Sequence, residues 1–328
     1  MEKPKIAIVG CGRMGIGIAQ VFAYEGFMVN LIDAKERSGE EANEVFRQAG
    51  DQIAHHLFFL SNLNILDKKM IAPILQRINF YPSIQMDSAL LEADLVFEAV
   101  PEVGEIKKTI LDQLNRWTKE ETIIASTTST FSVNDLAGQV LHPERFLCTH
   151  WLNPAYLMPL VEVSPGEHTS RNTLDQIFRL LESIGKIPVK CNPSPGFIVP
   201  RIQALAMNEA ARLAEEGVAS PEDIDKASRF GFGLRFAVLG LLEFIDWGGG
   251  DILYYASNYL KDSFQEDRFS PPQVVVEHME QGHIGIKSGK GFFDYSQRDM
   301  ARYQQETIAK FVDLLNHLGL IRPPHQEA

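Results

Sequence analysis

Cysteine, positive charge and long apolar runs are all scarce in this chain, and each shortage closes off a class of function. Among 328 residues there are three cysteines, Cys11, Cys148 and Cys191, far apart and without a CxxC pair. An odd, scattered set suits neither a disulfide framework nor a zinc cluster, so reduced thiols and no metal site are expected. Lysine and arginine number 31 against 43 acidic residues, a net charge of −12. That balance disfavours a generic electrostatic grip on nucleic acid, and any anionic ligand must be held by local donors. The longest apolar stretches, such as residues 236–242, fall well short of the ~20 residues a membrane span needs. Met1-Glu2-Lys3-Pro4 lacks the apolar run of a signal peptide. A cytoplasmic protein without a membrane partner is the expectation. What is present is an ordinary globular composition, 45% hydrophobic and 23% charged. That is enough for a real core, and the length fits two domains at roughly 150 residues each.

The first part of the chain alternates strand and helix patterns. Lys5-Ile6-Ala7-Ile8-Val9 and Met28-Val29-Asn30-Leu31-Ile32 have buried-strand composition, with about three turns of helix between them that Gly26 can stop. After Asp33 comes a long charged helical excursion, too long for a simple crossover, and a second helix over residues 67–76. Strands are predicted at residues 77–81, 95–99 and 122–126, with a helix over 104–118, and two further strands at 146–149 and 160–163. Near residue 190 the texture changes. Cys191-Asn192-Pro193-Ser194-Pro195-Gly196 is rich in breakers, and the patterns beyond it are helical: 197–216, 236–247, 251–260, 272–281 and 304–318. Ser220-Pro221-Glu222-Asp223 adds an N-cap serine, a first-turn proline and first-turn acids. Gly248-Gly249-Gly250 reads as a hinge. The fold class is therefore α/β, a Rossmann-type dinucleotide-binding domain over 1–190 followed by an all-α domain over 191–328.

Gly10-Cys11-Gly12-Arg13-Met14-Gly15 matches GxGxxG between the first strand and the first helix. Gly10 permits the tight turn, Gly12 lets a pyrophosphate approach the backbone, and Gly15 lets helix and strand pack closely, with the helix N-terminus facing the phosphates. Asp33 closes the second strand 18 residues past Gly15, where an acid binds the ribose hydroxyls of NAD and repels the 2′-phosphate of NADP. Arg37, four residues on, could accept that phosphate, so the preference for NAD is strong and not absolute. Farther along, His150 and Glu162 are separated by a turn with Pro154 and Pro159. That spacing can fold a strand back to set a carboxylate against an imidazole base, the partner that hydride transfer from an alcohol requires.

A set of ordered segments resembles the L-3-hydroxyacyl-CoA dehydrogenase family. They are Gly10 to Ala19, Phe97-Glu98-Ala99-Val100-Pro101-Glu102, the Ser126 to Thr130 cluster, Arg145-Phe146, His150-Trp151-Leu152-Asn153-Pro154, Leu160-Val161-Glu162-Val163, Pro195 to Val199 and Lys287-Ser288-Gly289-Lys290-Gly291-Phe292-Phe293-Asp294-Tyr295. The resemblance spans residues 5–296 and implies an NAD-dependent oxidoreductase of fatty acid metabolism. It implies His150 as general base, Glu162 as its carboxylate partner, and Ser129 polarising the substrate's C3 oxygen. It implies Glu102 and Lys107 at the nicotinamide end of the cofactor site together with Ala99 and Val100, and Asn153 at the substrate, anchoring its loop. For Lys107, a solvated helix lysine is the competing reading.

Departures from the family pattern stand out. Pro200 occupies a position where the family usually has asparagine, tolerable if Phe197 starts the helix. Thr127 replaces another asparagine. Trp151, commonly phenylalanine, adds bulk beside the base. The excursion that carries CoA-binding lysines in the family here holds His55, His56, Phe58, Phe59 and only Lys68-Lys69. The substrate is thus expected to be an L-3-hydroxyacyl-CoA such as 3-hydroxybutyryl-CoA. A small free 3-hydroxy acid is the first alternative and a non-catalytic crystallin-like nucleotide-binding protein the second. The His55-His56 pair reads as one turn of an amphipathic helix before it reads as a metal or substrate contact. Apolar Phe230, Phe232, Leu239, Leu242 and Phe244 exceed what one helical layer needs, so a homodimer through the helical domain is expected.

Overall fold

Eight strands form one sheet in the order β3-β2-β1-β4-β5-β6-β7-β8. They are β1 (Ile6–Val9), β2 (Val29–Ile32), β3 (Ile78–Tyr81), β4 (Leu95–Glu98), β5 (Ile123–Ser126), β6 (Phe146–Trp151), β7 (Leu160–Pro165) and β8 (Ile187–Lys190). The structure, a computed structural model, describes residues 3–322. All neighbours pair in parallel except β6 with β7. The first seven strands fall where apolar runs predict them. β8 has no such run: Pro188 interrupts it and its side chains are part-exposed or exposed, so it is an edge strand that sequence pattern does not reveal.

Helices cover both faces, which is why the central strands are buried on both sides. One face carries α1 (Arg13–Tyr24), α2 (Gly39–Asn62) and, beyond α3 (Ile71–Leu75), α7 (Arg171–Ser183). They bury Ile16, Phe22, Ile53, Leu57, Ile177 and Leu181 against Ile8, Leu31 and Phe97. The other face carries α4 (Met86–Leu90), α5 (Gly104–Trp117) and α6 (Val133–Ala137), with Leu90, Leu111, Leu114 and Leu136 packed on Val9, Val96 and Phe146. A capping box between Ser38 and Glu41 starts α2.

By its contacts the chain divides into residues 1–206 and 207–328, whereas the sequence placed the domain break near 190. Bridging that division in sequence is α8 (Val199–Glu215), which starts two residues later than the sequence pattern indicates. The second unit is helical: α9 (Pro221–Ala227), α10 (Leu234–Val238), α11 (Leu241–Gly248), α12 (Gly250–Phe264), α13 (Gln273–Glu280) and α14 (Met300–His317). The single helix expected over 236–247 is two, because Leu239 is extended and Gly240 caps the next helix. Gly249, with φ +112°, makes the joint between α11 and α12. Within this unit Asp246 is buried and accepts from the amides of Phe292 and Phe293 and from the Tyr295 hydroxyl, tying the Lys287–Tyr295 motif to α11. Among the described residues no helix is long and apolar enough to cross a membrane.

Candidate active site

In a parallel sheet the carboxyl ends of the strands share one edge, and the crevice opens where the strand order reverses, here between β1 and β4. Gly10 has φ +125°, and a Cβ there would lie 2.4 Å from the carbonyl oxygen of Ala99. A Cβ on Gly15 would lie 1.9 Å from the Gly10 carbonyl oxygen. Neither position tolerates a side chain. Gly12 has open space instead, with nothing within 4 Å of where its Cβ would stand. The backbone is therefore bare where a pyrophosphate would approach, at the N-terminus of a helix with no acid in its first turn. These features fit a dinucleotide. Arg13 is exposed and Met14 packs on the core. Asp33 directly follows β2 and is buried, with Arg37 Nε 2.6 Å from its Oδ2. The Cys11 thiol is pushed up to about 12, by burial first and by the nearby Asp33 second, so it stays protonated.

Beside the glycine loop, β4 ends in Glu98, which is fully buried. Its carboxylate accepts from Lys107 Nζ at 3.0 and 3.1 Å, from the amide of Val100 at 3.0 Å and from the hydroxyl of Ser126. Lys107 is 1% exposed, so the solvated-lysine reading is wrong: α5 turns it inward to bridge Glu98 and Glu102, the latter at 3.2 Å. Glu102 in turn accepts from the hydroxyls of Thr128 and Ser129 and from the Ser129 amide. Burial works against its charge, but these hydrogen bonds and Lys107 outweigh it and hold its carboxyl below the usual range. The structure thus gathers Val100, Glu102, Lys107 and Ser129 into one network, while Ala99 stands outside it, its carbonyl against Gly10. Glu98 belongs to it and was missed by the sequence reading, although an acid ending an apolar strand is a signal.

His150 and Glu162 are directly paired residues of β6 and β7. Facing partners of an antiparallel pair project to the same side, and Nδ1 of His150 lies 2.7 Å from Oε2 of Glu162. The other oxygen, Oε1, accepts from the amides of Ile198 at 2.7 Å and Val199 at 2.9 Å, the start of α8. Burial tends to raise the Glu162 carboxyl, but the bonds from His150, Val199 and Ile198 outweigh it and hold it below the ordinary carboxylate range. A charged, acceptor-only carboxylate places the proton of a neutral imidazole on Nδ1 and leaves Nε2 as a base.

Phe197 does not start the helix. It sits at φ +46°, after Gly196 at φ +77°, and stacks on the imidazole at 5.0 Å between ring centres. Pro200 falls in the first turn of α8, where no intrahelical amide bond is lost. Trp151 adds no bulk beside the base: alternation along β6 sends it to the opposite face, against Phe22 and Phe97.

Asn153 is exposed, and its side chain makes no hydrogen bond among the described residues. It does not anchor the loop. Lys186 does, donating to the carbonyls of Ala155 at 2.6 Å and Met158 at 2.9 Å. Burial lowers the pKa of this lysine. His56 bonds Gln20 at 2.9 Å and stacks on Tyr156 of the same loop, while His55 is exposed.

Two family models match nearly the whole chain: the NAD binding domain of 3-hydroxyacyl-CoA dehydrogenase over residues 5–194, and the C-terminal domain of 3-hydroxyacyl-CoA dehydrogenase over residues 196–295. A probable 3-hydroxybutyryl-CoA dehydrogenase of Deinococcus radiodurans is 35% identical over 89% of this chain and 100% of its own length. The 5-formyl-3-hydroxy-2-methylpyridine 4-carboxylate 5-dehydrogenase of Mesorhizobium japonicum is 33% identical over 94% of this chain and 96% of its own. Among solved structures, a 3-hydroxyacyl-CoA dehydrogenase of Archaeoglobus fulgidus superposes with a TM-score of 0.76 at 31% identity, covering 97% of this chain and 100% of that one. With both halves matched and the glycine loop shaped for a dinucleotide, this chain belongs to the 3-hydroxyacyl-CoA dehydrogenase family, and NAD is its cofactor.

Proposed function

We propose that the protein interconverts an L-3-hydroxyacyl-CoA, such as 3-hydroxybutyryl-CoA, and the corresponding 3-ketoacyl-CoA, with His150, Glu162 and Ser129 as its catalytic residues. The observation that carries this reading is the His150–Glu162 pair, a base oriented by a carboxylate that is itself held charged by the amides of α8. NAD, held by the glycine loop and Asp33, would supply the hydride acceptor for C3. His150 Nε2 takes the hydroxyl proton as that hydride leaves, and Glu162 stabilises the imidazolium. Ser129 would turn the hydroxyl that it donates to Glu102 over to the C3 oxygen when substrate binds, while its amide bond to the same carboxylate keeps its loop in place. Gly10, Gly12, Arg13, Met14, Gly15, Asp33, Ala99, Val100 and Glu102 bind the cofactor, Lys107 acts at that site from beneath by holding Glu102 in place, and Asn153, left free on its loop, meets the substrate. Consumption of NADH with acetoacetyl-CoA tests the reading. Tight NADH binding without turnover of any 3-keto substrate refutes it and favours a non-catalytic protein.

A second substrate reading, a small free acid, draws on the Mesorhizobium relative, which is named as a dehydrogenase of a pyridine carboxylate and matches over 309 residues. The single Lys68-Lys69 pair on the excursion after β2 also favours it. A panel of thioesters and free acids separates the two.

Residues 1–190 serve the cofactor in this reading, and 191–328 the substrate and a homodimer. Of the apolar residues expected to drive dimerisation, Leu239 is buried and Phe244 half-buried within the helical unit, but Phe230, Phe232 and Leu242 are exposed, as are Ile252 and Tyr255, and these support dimerisation through it. Sedimentation at micromolar concentration checks this, and a monomer there rejects it. A cytoplasmic location completes the reading, supported by three free cysteines.

A further inference from the structure

Asp33 is not a bare carboxylate. Arg37 Nε meets its Oδ2 at 2.6 Å, and the Lys35 amide donates to its Oδ1 at 3.2 Å. The Arg37 side chain is 27% exposed, and the two terminal nitrogens of its guanidinium have no hydrogen-bond partner among the described residues. The start of α1 and the loop after β2 carry three cations, Arg13, Lys35 and Arg37, against Asp33 and Glu36, with Glu41 at the start of α2 also feeling Arg37 and Lys35. An isolated acid at the end of the second strand rejects a ribose 2′-phosphate by like-charge repulsion. Paired at contact distance with a cation, it largely loses that power, because the two charges cancel a few ångströms away. The free edge of a guanidinium is also the geometry that takes two phosphate oxygens side by side.

We propose that this pocket admits NADPH alongside NADH, and that Arg37 sets the ratio between them. The inference rests on the nucleotide-site reading of the glycine loop. Asp33 still serves the ribose hydroxyls of NADH, because each carboxylate oxygen accepts two hydrogen bonds and Arg37 and Lys35 use one apiece.

Titration calorimetry of NADH and of NADPH, without substrate, into the wild-type chain and into Arg37→Met is the test. Wild type is expected to bind NADPH within ~30-fold of NADH, and Arg37→Met to weaken NADPH ~10- to 100-fold more than it weakens NADH, the scale of a charge-assisted bond to phosphate. A wild type that binds NADH but not millimolar NADPH overturns the proposal. So does an Arg37→Met chain in which both affinities fall by the same factor. Binding of neither nucleotide by wild type instead overturns the dinucleotide site itself.

Discussion

His150 and Glu162 are cross-strand partners, and the same Glu162 carboxylate that receives the imidazole N–H also caps the first amides of α8. One side chain therefore orients the imidazole and seats a helix. Removing the imidazole alone separates the proposed chemistry from architecture. His150→Ala is expected to lower turnover at least ~10²-fold, the scale of general acid–base catalysis, while NADH affinity is retained. Near-wild-type turnover rules out the assignment.

Glu162→Gln should be costly in both respects. Its amide cannot match a charged acceptor shared by an imidazole and two backbone N–H groups, so about 1–3 kcal/mol of stability is expected to go with it. The pH dependence has a definite sign. The folded carboxyl titrates below its unfolded value of about 4.3, so its contribution is complete above that pH and is lost as pH falls through the folded value. Melting curves of wild type and Glu162→Gln should therefore converge in acid below about pH 4. A constant gap across that range contradicts the charged, hydrogen-bonded state.

Gly12 and Gly15 give a matched pair of substitutions. Gly12→Ala has room for its methyl, so the fold should survive while NADH affinity drops ~10-fold or more, the methyl standing where the pyrophosphate comes in. Gly15→Ala drives a carbon into the Gly10 carbonyl and should cost about 1–3 kcal/mol by forcing the turn apart. Equal melting temperatures for the two variants argue against this division.

Asp33→Ala leaves the Arg37 guanidinium without its carboxylate. The NADH to NADPH affinity ratio should shift toward NADPH by ~10-fold or more. An unchanged ratio counts against a ribose role for Asp33.

Much of this was legible in the sequence, where residue type alone decides the outcome. Ile6 to Val9 and Leu95 to Glu98 announce buried parallel strands, and Gly10 and Gly15 announce a turn that excludes side chains. What escaped depends on neighbours far off in the chain. Lys107 looks like any helix lysine until β4 places Glu98 beneath it. Lys186 gives no sign of reaching back to the carbonyls of Ala155 and Met158. Phe197 reads as the start of a helical pattern, yet a left-handed backbone turns it under His150. Period-two alternation would have put Trp151 on the opposite face of the sheet from His150 had residue 150 been recognised as interior to the strand.

The one reversed strand also bears on how the chain folds. Ile6 and Leu95, paired across the middle of the sheet, are 89 positions apart, whereas His150 and Glu162 are 12 apart. At about 0.6 kcal/mol per doubling of loop length, closing the long connection costs roughly 1.8 kcal/mol more in chain entropy than closing the short one. The hairpin that brings base and carboxylate together is thus among the cheaper long-range pairings to nucleate, and it can form before the nucleotide-binding half of the sheet is complete.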